Sequence, residues 1–69
     1  MVDIKKLRDA IVRSGYTIDE LSKMIGMDDS TFYRKINADG KTFTIAQADA
    51  LAKTLKLNAG EAQSIFFGV

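Results

Sequence analysis

Thr17 to Asn37 reads TIDELSKMIGMDDSTFYRKIN, a pair of short amphipathic helices joined through a glycine. Thr17 followed at the third position by Glu20 is a capping box, in which each side chain reaches the other's backbone amide and starts a helix. Ile18, Leu21 and Ile25 then recur at spacings of three and four, so the segment from Thr17 to Ile25 is expected to be helical with these residues inward. Gly26 and Met27 end it. Asp28 suits both an N-cap and the positive end of a helix dipole, and Phe32 and Ile36, four apart, form the buried side of a helix from Asp28 to Asn37. So short a link forces the two helices to cross steeply. Gly26 supplies the left-handed turn, Ser22 is small enough for close approach, and Leu21, Ile25, Met27 and Phe32 fill the angle. Ser30, Tyr33, Arg34 and Asn37 share the outward face of the second helix, with Asp29 at its leading edge.

The rest of the chain continues in the same manner. It has no Pro, its five Gly are scattered, and the apolar period is helical throughout. A first helix is expected from Asp3 to Ser14, with Ile4, Leu7 and Ile11 on one face, ended by Gly15. Thr44 with Gln47 and Asn58 with Glu61 repeat the capping signal. They predict a helix from Ile45 to Lys56, burying Ala48, Leu51, Ala52 and Leu55, and another from Ala59 to about Phe67, burying Ala62, Ile65 and Phe66. Between Asn37 and Thr44 the composition is that of a loop, with Phe43 tucked beneath it as core. Five helices in an all-α fold follow, and 69 residues make a single domain, 1–69.

The same composition excludes much chemistry. With no Cys and no His there is no disulfide, no zinc site of the usual kind, no thiol nucleophile and no imidazole base. The adjacent acids Asp19-Glu20 and Asp28-Asp29 point about 100° apart on a helix and sit at helix starts, where capping accounts for them. No catalytic residue, metal, cofactor or small-molecule ligand is expected, and the chain is not read as an enzyme. Met1 to Lys6 has no apolar signal core and no run approaches a membrane span, so a cytoplasmic protein without membrane contact is expected.

The Thr17–Asn37 segment, about a third of the chain, resembles the lambda-repressor-like, or Xre-type, helix-turn-helix regulators that include small phage Cro proteins and repressors. Gly26 in the turn, the small Ser22, the apolar set and the ending Tyr33-Arg34-Lys35-Ile36-Asn37 carry the likeness, and the five-helix length agrees with it. Lys35 departs from the pattern, because many members place an apolar residue there, and Ile36 is then expected to fill that space. The resemblance implies a compact five-helix lambda-repressor-like domain whose third helix enters the major groove of double-stranded DNA. It places Asp29, Ser30, Tyr33 and Arg34 at bases, and Thr17, Asn37, Lys41 and Thr42 at phosphates. Arg34 is the strongest candidate, since a guanidinium can bond guanine O6 and N7 together.

A single recognition helix reads few base pairs, so a homodimer on a pseudo-palindromic operator is expected, with Phe66, Phe67 and Val69 as the dimer contact. A phage or prophage transcriptional regulator follows from the resemblance and from the lack of a second, sensing domain. Charge argues the other way. The chain has ten Lys and Arg against nine Asp and Glu, and the window from Gly26 to Thr44 is neutral, whereas phosphate affinity comes from cations. Only the first sixteen residues are locally basic, with Lys5, Lys6, Arg8 and Arg13 against Asp3 and Asp9. A helix-turn-helix scaffold for protein contact, of anti-repressor or antitoxin type, is therefore the alternative.

Overall fold

The computed structural model describes residues 2–38 and 43–67. Among them are five helices, α1 Ile4–Ser14, α2 Ile18–Met24, α3 Asp29–Asn37, α4 Ile45–Thr54 and α5 Ala59–Phe66. Every helix begins at a side-chain cap: Asp3, Thr17, Asp28, Thr44 and Asn58 each accept from an amide of the first turn. Thr17, Thr44 and Asn58 complete full capping boxes with Glu20, Gln47 and Glu61. These satisfy amides that have no partner within a helix.

Helix ends differ from the sequence expectation in one instructive place. α4 stops at Thr54, two residues before Lys56, because Lys56 adopts a left-handed backbone with φ of 57°. Its N–H donates to the Lys53 carbonyl (3.2 Å) and that of Leu57 to the Ala52 carbonyl (2.9 Å), a Schellman closure made without glycine. The turn after α2 is the same device. Gly26 (φ 72°) donates to the Lys23 carbonyl at 3.2 Å and Met27 to the Ser22 carbonyl at 2.7 Å. A Cβ added at Gly26 would meet nothing within 4 Å, so only backbone strain opposes a side chain there. Gly26→Ala is expected to lower stability by about 1–2 kcal/mol, read as a fall of several degrees in the thermal midpoint; an unchanged melt would contradict the strained turn.

Leu7, Leu21, Phe32 and Leu51 are fully buried at the centre, joined by Ala10, Ile11, Ile36, Ala48, Ile65 and Phe66. α2 packs on both α3 and α4, while α1 packs on α5 and the Asp3 N–H donates to the Ile65 carbonyl at 2.6 Å. Phe43 is half-buried against this core, as expected, and meets Phe32 edge to face at 5.8 Å and 74°. The Lys35 ammonium stands 6.0 Å above the Phe43 ring, an attraction between cation and ring face. Ile36 takes the core position beside it, which sets the rotation of α3. α5 buries Ile65 and Phe66 as its apolar stripe predicts, Phe66 at 5% exposure, and leaves Phe67 outside at 56%; Phe66 is thus core and not on the surface expected for a dimer contact. Val69 lies outside the described residues.

Candidate nucleic-acid interface

With Phe32 and Ile36 inward, and each residue stepping about 100° around the axis, Ser30, Arg34 and Asn37 fall on the far side of α3. All three are exposed, and Tyr33 stands on the flank nearest α1, 50% exposed. The four side chains expected to share one face therefore do share it.

Their local bonds restrict what each can offer a ligand. The Ser30 hydroxyl donates to Asp28 Oδ2, which also accepts from the Ser30 N–H at 3.2 Å. A hydroxyl carries one proton, so Ser30 presents an acceptor to the outside. The Ser30 hydroxyl is the main cause holding the Asp28 carboxyl below its ordinary range, opposed by partial desolvation and aided by the Ser30 and Thr31 amides and the Arg34 charge. Arg34 donates from Nη2 to Thr31 Oγ1 at 3.3 Å, a long bond on the exposed side that a better acceptor can replace. It is the one cation on the exposed side of α3.

Asp29 is placed otherwise than the sequence suggested. Its side chain is half-buried, and Oδ1 accepts from the hydroxyl of Ser22, a residue with no exposure at all. That hydroxyl also lies 2.9 Å from the Asp19 carbonyl, so one proton serves two acceptors across the crossing of α2 and α3. Asp29 thus faces α2 and ties the two helices together, away from the side that carries Arg34. The cause is angular: on α3, Asp29 stands within about 60° of Phe32 and about 20° of Ile36.

Asp19, one turn before Ser22, feels this arrangement. A hydrogen bond with Asp29 raises its carboxyl above the ordinary value, the Asp29 charge and slight desolvation add to the rise, and Lys23 opposes it. An acid raised in the folded state favours folding when protonated. Its contribution is complete below the unfolded value and is lost as pH rises through the folded one. Near neutrality the two carboxylates therefore repel. Asp19→Asn, which keeps a donor toward Asp29 without the charge, is expected to raise the thermal midpoint at pH 7 and to change little below about pH 3, where Asp19 is protonated in both states. Melts of both proteins across that range check the sign, and a lowered midpoint at pH 7 would refute it.

Of the residues expected at phosphates, Thr17 accepts from the Glu20 N–H (3.1 Å) and its own N–H donates to Glu20 Oε1 (2.9 Å). Its amide is thus engaged within the cap, while its hydroxyl, which only accepts there, keeps a proton to donate. Asn37 is exposed at the end of α3. Lys41 and Thr42 lie outside the described residues. On the α1 side of α3 a cleft of about 400 Å³ opens between Arg8 and Val12 of α1, Ile18 of α2, and Tyr33 and Asn37 of α3. A second, shallow groove runs between α4 and α5, where Ile45, 79% exposed, stands near Phe67. Sequence reading missed Ile45 because its buried stripe begins one turn later, at Ala48.

Among the described residues no helix is long and apolar enough to cross a membrane, and no three His, Cys, Asp or Glu side chains are grouped to hold a metal ion. Comparison with curated proteins and with solved structures returns no match. The family comparison does match, over residues 6–65, a span that begins in α1 and ends in α5 and so takes in all of α2, the exposed α3 and α4. The chain belongs to the Cro/C1-type HTH DNA-binding domain family.

Proposed function

We propose that this protein is a sequence-specific transcriptional regulator of phage or prophage type, acting in the cytoplasm, that inserts α3 into the major groove of its operator. The observation that carries this is the exposed face of Ser30, Tyr33, Arg34 and Asn37, on a helix anchored from behind by Phe32 and Ile36. A helix about 10–12 Å across fits a groove about 12 Å wide. Arg34 reads a guanine. Ser30, its proton held by Asp28, accepts from cytosine N4 or adenine N6. Tyr33 meets a thymine methyl or a neighbouring phosphate, and Asn37, Lys41, Thr42 and the amides beyond the Thr17 cap hold phosphates. Asp29 serves by fixing α3 on α2 through Ser22.

The nine residues of α3 extend about 13 Å, the rise of roughly four base pairs, too few to specify an operator. A homodimer on a pseudo-palindromic site follows, with half-sites about 34 Å apart. Each copy measures 28 × 23 × 20 Å over its Cα atoms, so two copies centred about 34 Å apart fit without overlap. Phe67, with Ile45 beside it and Val69 beyond, supplies the contact; Phe66 supports it from the core.

Selection of bound duplexes from a randomised pool tests this directly. Enrichment of a sequence with dyad symmetry, bound less tightly as salt rises, is the expected result. A pool that stays random, with no salt-sensitive binding and a protein partner recovered instead, would favour the scaffold alternative that the neutral charge around α3 suggests.

A further inference from the structure

The neutral window around α3 leaves open which cations meet the phosphates, and the fold answers with a residue far away in sequence. α1 carries Lys5, Lys6, Arg8 and Arg13, but they point to different sides. Lys6 and Arg13 line the groove between α1 and α5, where the Lys6 ammonium donates to the Ser64 hydroxyl. Arg8 instead lines the cleft shared with Tyr33 and Asn37, and among the residues forming that cleft it alone is charged. It is exposed and has no ion pair or hydrogen bond among the described residues.

We infer that Arg8 is a phosphate-binding residue of the DNA interface, and that the α1–α3 cleft seats the sugar–phosphate strand running along that flank of the recognition helix. The inference rests on the DNA-binding reading above and adds to it the source of charge on one side of the groove. A helix that fills the major groove has a strand on either flank. On this flank the start of α2 brings no cation. Thr17 has its amide bonded in the cap and only a hydroxyl proton to give, and Asp19 and Glu20 place negative charge beside it. Arg8 brings a cation to the cleft on this flank. The cleft floor is apolar, from Ile11, Val12, Ile18 and Ile36, and a cation at the rim of a low-dielectric cleft exerts a focused field on an approaching anion. A guanidinium also matches the paired oxygens of a phosphate. One of the four basic side chains of the first sixteen residues is thereby brought to the face that needs it.

The test is the salt dependence of binding for Arg8→Gln, with Lys53→Gln as the control. Lys53 lies on α4, is exposed, and among the described residues pairs only with Asp49 one turn away, so its removal changes net charge equally. Two probes are used, the duplex recovered by selection and a scrambled duplex of the same composition. One phosphate contact contributes about 0.9 to the slope of log affinity against log salt. R8Q is therefore expected to reduce the slope by about 0.9 per bound protomer and to weaken both duplexes alike, by about eightfold per protomer at 0.1 M salt. Arg8→Lys should keep most of the slope, and circular dichroism should show R8Q folded. An R8Q slope equal to that of the wild type, with tight binding retained, overturns the role of Arg8 and leaves the DNA-binding reading intact. Equal losses in R8Q and K53Q would assign the effect to net charge and overturn it too. Failure of the wild type to bind either duplex at low salt would remove both.

Discussion

Phe32→Ala is expected to unfold the domain, or nearly so. The ring is completely buried, fills the crossing of α2 and α3, and meets Phe43 edge to face. Truncating a buried Phe to Ala costs about 3–5 kcal/mol, from lost transfer free energy and from the cavity left behind. A 69-residue chain has a total stability of roughly 3–10 kcal/mol, and there is no Cys for a disulfide to hold what remains. Urea titration followed by circular dichroism should show either no folded baseline or a midpoint reduced by half or more. Phe32→Leu, which keeps most of the volume, should lose about 1–1.5 kcal/mol and remain folded. A loss near 1 kcal/mol for the alanine variant would show that the ring is not central to the core. The consequence reaches function as well. Phe32 and Ile36 set the rotation of α3, so a variant that repacks them would swing Arg34 and Ser30 away from their shared face even if it stayed folded.

Arg34→Ala is expected to leave the fold intact and to remove discrimination at one base pair per half-site. Arg34 is exposed and among the described residues its side chain makes only the long bond to Thr31, so truncation disturbs little inside the protein. A bidentate contact with guanine O6 and N7 is worth about 1–3 kcal/mol of preference over the wrong base, which is roughly 5- to 150-fold per half-site. Affinity for the selected duplex should fall by that factor, while affinity for the scrambled one falls only by the share due to a lost charge. Arg34→Lys should recover the charge and not the preference, because an ammonium lacks the planar fork. Competition binding with duplexes substituted at each position of the half-site identifies the base pair concerned. If every duplex weakened equally, Arg34 would be a phosphate contact. The pattern is distinct from that expected of Arg8, which acts on all sequences alike and is read in the salt slope.

The sequence alone was enough for the five helix starts, the all-α class and the glycine turn. These depend on neighbours within four residues: a cap bonds an amide two or three positions on, and apolar periodicity is a property of one helix at a time. The structure agrees at Thr17, Thr44 and Asn58, and at Phe43, where an aromatic next to a loop of polar residues had only the core to enter. Local signals failed where they were absent, as at Lys56, whose left-handed closure carries no glycine to announce it.

What only the tertiary structure decided lies at the edges of the helical faces. Periodicity assigns the middle of a buried stripe, but residues at its margin turn inward or outward according to how the next helix crosses. Asp29 is such a residue, claimed by Ser22 because α2 passes beside it. Phe67 is another case: one residue past the buried stripe, it is left on the surface near Ile45 by the way α4 and α5 meet. Arg8 is a third, one of four basic side chains on α1, and the packing of the helices alone sets it beside Tyr33 and Asn37. Spacing along the chain fixes which residues share a helix face, whereas the crossing of helices determines what each face meets, and that depends on contacts between residues far apart in sequence.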